Sequence, residues 1–516
     1  MASAREPATL TRDMPTTELL DALPVKTVTG TLPRTITGVT DDSRKVERGA
    51  CFVAVPGLRQ DARRFVPDAV SRGAALVVTE GAPLPDVRVA QIVVPSAREA
   101  VALLGDAWYG HPSHAMTLVG ITGTNGKTTT SYLVEALLRA RGLATGVLGT
   151  IGYVGGTTAM DANQTTPDAL QLGALLRRMR LDGVRGVAME VSSHALAQAR
   201  ADALAFDVAV FTNLTQDHLD FHGTFDEYRR AKRRLFELLV RSPKARRTGV
   251  VNVDDPAGAA MVAGLGVDVI TFGLDARAHV RALEHDSSLD GIRMTVATPA
   301  GRFALTSPLI GEHNVMNLLG AIGVGIALGL GLEAIAAALG AVGTVPGRFE
   351  QVRAGQPFLV VVDYAHTPDA LERVLTTARK LTSGRLGVVF GCGGDRDRGK
   401  RPIMGAIAAR LADRAWVTSD NPRSERPEAI IDEVVAGMSD SGAPARCITE
   451  PDRAAAIRGA LDWARAGDTV VIAGKGHETY QVVGSDVLPF DDRAIARQIL
   501  LEVHRSGGEP PNSRHG

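Results

Sequence analysis

Residues 120–130 read Gly-Ile-Thr-Gly-Thr-Asn-Gly-Lys-Thr-Thr-Thr, and residues of these types in this order bind phosphate. Glycines let backbone N–H groups converge on phosphate oxygens, and a helix that starts at the end of the loop adds its dipole. Lys127 is placed to neutralise the β- and γ-phosphates, and the Thr128 hydroxyl to hold Mg²⁺. Gly123, Thr124, Asn125, Gly126 and Thr129 complete the loop. The spacing departs from the usual phosphate loop. Counted back from Gly126, the position of the first glycine holds Ile121, with Gly120 and Gly123 on either side. An apolar run precedes the loop and a helical pattern follows it, a context that an incidental Gly-Lys-Thr turn lacks.

Further chemistry gathers at the ends of apolar runs. Glu190 closes one run and His218 follows another; both could face Mg²⁺ and the phosphates, a carboxylate being the expected hard ligand. A strand-end Glu can equally serve as a cap or an ion-pair partner, and a single His can simply be hydrogen-bonded. Lys232 says more. Read as a helix, 225–240 places Tyr228, Ala231, Leu235 and Leu239 on one face with Lys232 inside that stripe, while Arg230, Arg233, Arg234 and Glu237 fall toward the other. Its stem could run along the stripe edge to water. Alternatively CO₂ converts its amine into a carbamate, an anionic oxygen ligand for a second Mg²⁺. Farther on, Arg396 and Arg423 can fork onto a carboxylate, and Asp420 and Glu478 can hold an ammonium. Together they describe a pocket for a zwitterionic amino acid; surface loops with ordinary salt bridges are the alternative.

The elements that must position these groups alternate. With 516 residues, 45% of them hydrophobic and 22% charged, the chain is an ordinary globular mixture too long for one core. Lys plus Arg equals Asp plus Glu at 57 each, so no global field draws nucleic acid or an anionic membrane. Three scattered cysteines, Cys51, Cys392 and Cys447, suggest a reducing compartment with no disulfide framework. No secretory signal is expected near the amino terminus, and 313–332 reads as a buried helix, not a membrane span. A cytoplasmic protein is expected.

Strand-like runs at 50–55, 75–78 and 91–94 alternate with helices at 66–72 and 97–108, and 109–113 has a linker composition. A second block has strands at 146–151, 186–190, 207–211 and 248–252 around helices at 168–180 and 224–240. The third has strands at 358–363, 386–390, 415–418 and 469–473. Such alternation predicts an α/β protein with parallel doubly wound sheets and ligands at the carboxyl ends of the strands. The glycine turn at 391–394 is consistent with a Rossmann-like third block but identifies no cofactor by itself.

The motifs taken together resemble the Mur ligases of peptidoglycan synthesis, and among them the diaminopimelate-adding members. Those that carry the resemblance include Asp42-Ser-Arg44, the 123–129 loop, Glu190-Val-Ser-Ser-His194, Asp217-His-Leu-Asp220, Asp363-Tyr-Ala-His-Thr-Pro368, Gly391-Cys-Gly-Gly-Asp-Arg396, Asp420-Asn-Pro-Arg423 and Lys475-Gly-His-Glu478. Spread over about 38–500 in family order, they imply three domains: a UDP-substrate domain at 21–112, a central ATP-binding P-loop domain at 113–343, and a Rossmann-like amino-acid domain at 344–505. A disordered lead-in (1–20) and tail (506–516) flank them.

The resemblance implies further roles. Ser43 would meet the uridine end of a nucleotide substrate, and Thr165, Thr166, Ser192, Gln198 and Arg200 its diphosphate, sugar and peptide. ATP would be held by the loop together with Asn314, Arg348, Asp363 and His366. The metal region would comprise Thr128, Glu190, His218 and carbamylated Lys232 (N6-carboxylysine), with Lys127, Lys232, His218 and Glu190 as the catalytic set. Arg396, Asp420, Asn421, Pro422, Arg423, Gly474 and Glu478 would bind diaminopimelate, Arg423 suiting the second carboxylate that lysine lacks. Three departures from the family pattern stand out: Ala195 for Gly, His313 for Phe, and Leu58-Arg-Gln60 for a more polar uridine-side stretch.

The implied reaction joins an amine to the D-Glu carboxylate of UDP-MurNAc-L-Ala-D-Glu through an acyl phosphate, with ATP and Mg²⁺. The partners are then small molecules, with neither nucleic acid nor membrane insertion, and a monomer is expected. Closure of the three blocks would exclude water from the acyl phosphate. Within the class, a lysine-adding or folylpolyglutamate-synthetase-like ligase competes. Outside it stand a P-loop switch, which would leave the third block without a purpose, and a dinucleotide oxidoreductase, which rests on the glycine turn alone.

Overall fold

A computed structural model of the chain describes residues 13–57, 61–440 and 446–506. Leu58, Arg59 and Gln60, most of the expected lead-in and all but the first residue of the expected tail lie outside the described residues. The chain divides into two compact units, one of Met1–Leu283, Thr295–Phe303 and Met316–Leu339, the other of Glu284–Met294, Ala304–Val315 and Gly340–Gly516.

The first unit contains a five-stranded sheet in the order Thr27–Thr29, Ala90–Val94, Leu76–Glu80, Cys51–Val53, Val39–Thr40, parallel except at the first strand. Its inner strands are buried nearly throughout, as strands covered on both faces must be. The helix Ala97–Trp108 packs Val101, Leu104 and Trp108 into the same core as Leu76, Val78 and Ile92. Ser96 caps this helix, accepting from the Glu99 N–H at 3.2 Å. In the expected linker, His111 takes a left-handed backbone (φ 48°) and its Nδ1 lies 2.6 Å from Asp106 Oδ2.

Next comes an 11-stranded sheet. Its parallel part includes, in order, Thr145–Leu148, Gly186–Glu190, Thr117–Thr122, Val208–Phe211, Thr248–Asn252 and Asp268–Gly273. The earliest strand, Thr117–Thr122, lies in the middle, flanked by strands that follow it by different crossovers. That arrangement opens a crevice at its carboxyl end, where the phosphate-loop residues lie. A Cβ on Gly120 would come within 2.7 Å of Phe206 and 3.0 Å of Leu235, so a glycine lets the helix Phe225–Arg241 close on the sheet. The strand expected at 146–151 ends at Leu148 and turns back into the antiparallel strands Gly152–Gly155 and Thr158–Asp161. Three more strands, Val280–Ser288, Gly291–Thr298 and Gly301–Ser307, have residues in both units.

The uncharged stretch at 313–332 forms the helix His313–Ala327 and a break at Gly329 (φ 79°) before the helix Leu332–Gly340. No helix among the described residues is long and apolar enough to cross a membrane.

The second unit has a six-stranded sheet in the order Glu350–Gln351, Leu359–Asp363, Thr469–Ala473, Leu386–Phe390, Arg414–Val417, Arg446–Thr449, parallel except at its first strand. Helices Pro368–Leu381 and Lys400–Leu411 cover one face, Arg453–Trp463 and Asp492–Ser506 the other. A small hairpin, Tyr480–Val483 with Asp486–Pro489, stands apart from this sheet.

Candidate active site

The phosphate loop is built by its neighbours as much as by its glycines. Gly126 is the left-handed N-cap (φ 85°) of the helix Lys127–Ala140, which has no side-chain cap. A helix amino terminus of this kind directs its N–H dipoles to where an anion is favoured. A Cβ on Gly126 would sit 2.4 Å from Asn317 Oδ1, and one on Gly123 only 1.8 Å from Thr212 Oγ1. Two residues after the strand Val208–Phe211 fix the loop. Thr212 Oγ1 donates to the Asn125 carbonyl at 2.6 Å, and Asn213 Oδ1 accepts from the Asn125 N–H at 2.9 Å. Lys127 Nζ folds back onto the loop, donating to the Gly123 and Thr124 carbonyls at 2.9 and 2.8 Å. The ammonium is thus tied to the loop backbone.

Glu190 ends the next strand, in register with Ile121, and is 1% exposed. Its carboxylate accepts from the Thr150 N–H at 2.9 Å and the Thr150 hydroxyl at 3.1 Å. His218, in a left-handed conformation (φ 53°), packs edge-on against His194 at 4.7 Å between centroids. Asp217 lies 3.5 Å from its Nε2.

Lys232 is 1% exposed, on the face of Phe225–Arg241 that also buries Tyr228, Leu235, Phe236 and Leu239. The stem does not run out to water. Its Nζ lies 4.3 Å over the Tyr228 ring, and no described residue gives it a hydrogen bond or an ion pair. Burial holds its pKa well below the usual lysine range; nearby Lys127 pushes the same way and Asp217 opposes. Thr128, Glu190, His218 and an anionic Lys232 carbamate would supply mostly hard oxygen donors, the set that Mg²⁺ favours. A cationic Lys232 would not suit it.

A second polar group lies in the same unit. Thr166 Oγ1 donates to the Glu190 carbonyl at 2.9 Å and accepts from the Ser192 N–H at 3.0 Å. Ser192 caps the short helix Ser193–Ala197. Arg200 Nη1 donates to the Thr166 carbonyl at 3.0 Å, and its Nη2 to Gln198 Oε1 at 2.8 Å. Thr165 Oγ1 lies 3.1 Å from Thr150 Oγ1. Thr165, Thr166, Ser192, Gln198 and Arg200 thus form one network with Glu190. Ser43 is buried in the five-stranded domain, near enough to Asp68 to help lower the pKa of its carboxyl.

In the second unit, Asp363 ends a strand and accepts from the Phe349 N–H at 2.7 Å, burial pushing its carboxyl up. Arg348 lies 5.0 Å over the Tyr364 ring, and His366 Nδ1 sits 2.8 Å from the Tyr364 carbonyl. Asn314 donates to the Ile310 carbonyl at 2.8 Å. His313, where the family pattern has Phe, meets Phe349 edge-on at 5.6 Å.

Farther along the same sheet, the 391–396 and 420–423 turns back each other. The Gly394 N–H donates to the Asn421 carbonyl at 2.9 Å, and a Cβ on Gly394 would fall 1.8 Å from the Pro422 carbonyl. The glycines serve this close approach. Arg423, left-handed at φ 51°, donates to the Gly394 carbonyl at 2.8 Å. Asp420, Asn421 and Glu478 converge on the buried Lys475 ammonium. Arg396 is exposed and donates to the Asp395 carbonyl.

Three family models match the chain: the Mur ligase family catalytic domain at 35–109, the Mur ligase middle domain at 121–325 and the Mur ligase glutamate ligase domain at 347–476. The UDP-N-acetylmuramoyl-L-alanyl-D-glutamate--2,6-diaminopimelate ligase of Geobacillus kaustophilus (strain HTA426) is 47% identical over 463 residues, 89% of this chain and 94% of its own. The chain belongs to the Mur ligase family. The protein of the same name from Gloeobacter violaceus (strain ATCC 29082 / PCC 7421) is 48% identical over 474 residues, 92% of this chain and 95% of its own. A solved structure of a diaminopimelate ligase of that name has a TM-score of 0.69 at 35% identity, covering 96% of this chain and 100% of its own.

Several side chains that hold this Mur ligase's candidate site together escape sequence reasoning. Thr212, Asn213 and Asn317 brace the loop, Thr150 orients Glu190, and Tyr228 covers Lys232. Tyr228 alone carried a signal, four residues before Lys232 on the apolar stripe. The others act across strand ends, which spacing along the chain does not encode.

Proposed function

We propose that this Mur ligase joins diaminopimelate to the D-Glu carboxylate of UDP-MurNAc-L-Ala-D-Glu at the expense of ATP, making a peptidoglycan precursor. One observation carries the reading. A phosphate loop whose helix has no side-chain cap occurs in the same chain as a polar cluster in which Arg423, suited to a carboxylate, lies beside Asn421, and Asp420 and Glu478, suited to an ammonium, are drawn together. The names of relatives near 47% identity support the same substrates. A lysine-adding ligase would have no second carboxylate to place on Arg423.

The D-Glu carboxylate attacks the γ-phosphorus of ATP, forming an acyl phosphate and releasing ADP. The amine of diaminopimelate, having lost its proton, attacks the acyl carbonyl, and the tetrahedral intermediate expels inorganic phosphate. Lys127 turns from the loop carbonyls to the phosphates and offsets the charge that builds between two anions. Thr128, Glu190, His218 and the carbamate of Lys232 would hold Mg²⁺, which would further neutralise that charge. Arg200, Gln198, Ser192, Thr165 and Thr166 hold the diphosphate, sugar and peptide of the UDP substrate, and Ser43 its uridine end. Asn314, Arg348, Asp363 and His366 serve the adenosine side of ATP, while Arg396, Pro422 and Gly474 border diaminopimelate.

In domain terms, 21–112 takes the UDP end, 113–343 ATP and 344–505 the amino acid. The place of such an enzyme is in cell-wall biogenesis, cell shape and division, in the cytoplasm, acting as a monomer on small molecules. The deciding experiment measures phosphate release with ATP and each substrate omitted in turn. Release that requires both the UDP-dipeptide and diaminopimelate is expected. Equal turnover without the amine would overturn the reading.

A further inference from the structure

One buried ammonium in the second unit has no role in the reaction just described. Lys475 is 0% exposed. Its Nζ donates to Asn421 Oδ1 at 3.1 Å and Glu478 Oε2 at 3.2 Å, with Asp420 Oδ1 at 3.5 Å. Asn421 Nδ2 donates to the same Glu478 oxygen at 3.0 Å, so Lys475, Asn421 and Glu478 close a ring. The ring fixes which way the Asn421 amide points, because its Oδ1 also accepts from the Val482 N–H at 2.9 Å. A buried ammonium is tolerated only with such partners. All three are residues proposed to meet the incoming amino acid.

We propose that Lys475 is a positioning residue of the amino-acid pocket, setting both its geometry and its charge. The inference rests on the ligase reading above. Asp420 and Glu478 carry two negative charges, and Lys475 cancels one. One excess negative charge remains, the complement of one substrate ammonium, with Arg423 nearby for a carboxylate. Without Lys475 the two carboxylates would face each other uncompensated, and Asn421 would lose the donor that holds its amide. Lys475 need not touch substrate to do this; it acts through Asp420, Asn421 and Glu478.

The test compares steady-state constants for Lys475→Met, Glu478→Gln, the double variant and Arg423→Ala, each with all three substrates. Lys475→Met is expected to raise the KM for diaminopimelate about 10- to 100-fold, the range for losing hydrogen bonds to a charged group. Its kcat and its KM values for ATP and the UDP-dipeptide should stay within about threefold, since those substrates meet other residues. The double variant should be no worse than Glu478→Gln alone, because the charge Lys475 balances has gone with it. An unchanged diaminopimelate KM in Lys475→Met, or a fall in kcat with all three KM values rising together, overturns the inference. Where Lys475→Met does not accumulate as folded protein, the double variant decides. A diaminopimelate KM equal to that of Glu478→Gln supports the role, and a further tenfold rise overturns it. If Arg423→Ala and Glu478→Gln both leave that KM unchanged, the pocket assignment itself fails, a result distinct from failure of Lys475 alone.

Discussion

Lys232 lies on the buried face of an amphipathic helix whose exposed side is strongly charged, and desolvation there lowers the pKa of the amine and favours its neutral form. The neutral amine is the form that adds CO₂, giving a carbamate and releasing one proton. Its depressed pKa therefore favours carbamylation near neutral pH, where an exposed lysine is almost fully protonated. Lys232→Ala should abolish ligation, with partial recovery on adding formate or acetate to fill the vacated oxygen position. Wild-type enzyme in CO₂-free buffer should lose activity that bicarbonate restores. Wild-type-like turnover by Lys232→Ala would remove the carbamate assignment. At the other site, Arg423→Ala should raise the diaminopimelate KM by about 10-fold or more, the cost of one charge-assisted contact, while the ATP KM moves far less. An equal rise in both would sink the pocket.

The phosphate loop shows how an element depends on contacts distant in sequence. Gly126→Ala forces an L-residue into φ 85° and presses its Cβ on Asn317 Oδ1. The backbone term alone costs about 1–2 kcal/mol. The variant should melt several degrees lower and bind ATP analogues more weakly, as read by calorimetry. Adding Asn317→Ala should recover only the part due to the clash. Binding equal to wild type in Gly126→Ala would mean that phosphates lie elsewhere. The elements carrying this loop were legible because their signals are local. The helix expected at 224–240 is Phe225–Arg241, and the strand at 186–190 is as read, since apolar period and caps lie within the element. The antiparallel pair Gly152–Gly155 and Thr158–Asp161 was not. Its four-residue strands, too short for a clear period, owe their form to pairing with each other and with Thr145–Leu148. The glycine turn at 391–394 was seen but could not be explained from sequence. Glycine spacing announces a close approach and not its partner, here the Pro422 carbonyl.

At the scale of the whole molecule, the groups assigned to the UDP-dipeptide and those assigned to diaminopimelate fall in different compact units. Ser43, Thr166, Ser192 and Arg200 belong to the first, Asp420, Arg423, Lys475 and Glu478 to the second. Sequence reasoning separated these groups because each motif ends its own strand, and doubly wound sheets collect ligands at those ends. Lys475 stood in the motif at 475–478 without a role of its own, because that role comes from Asp420 and Asn421 on another strand end. The division makes a prediction for hydrogen exchange. A ligand slows exchange chiefly where its binding suppresses local opening, and at 100 times its Kd it contributes about 2.7 kcal/mol. With ADP and Mg²⁺ present throughout, the UDP-dipeptide should slow amides at 164–166 and 192–200, whereas diaminopimelate added next should slow those at 391–396, 420–423 and 474–483. The second addition is the informative one, because its effect is expected around Arg423 and the Lys475 ring. Protection confined to the first unit on adding diaminopimelate would place the amine substrate away from Arg423 and refute the two-site assignment.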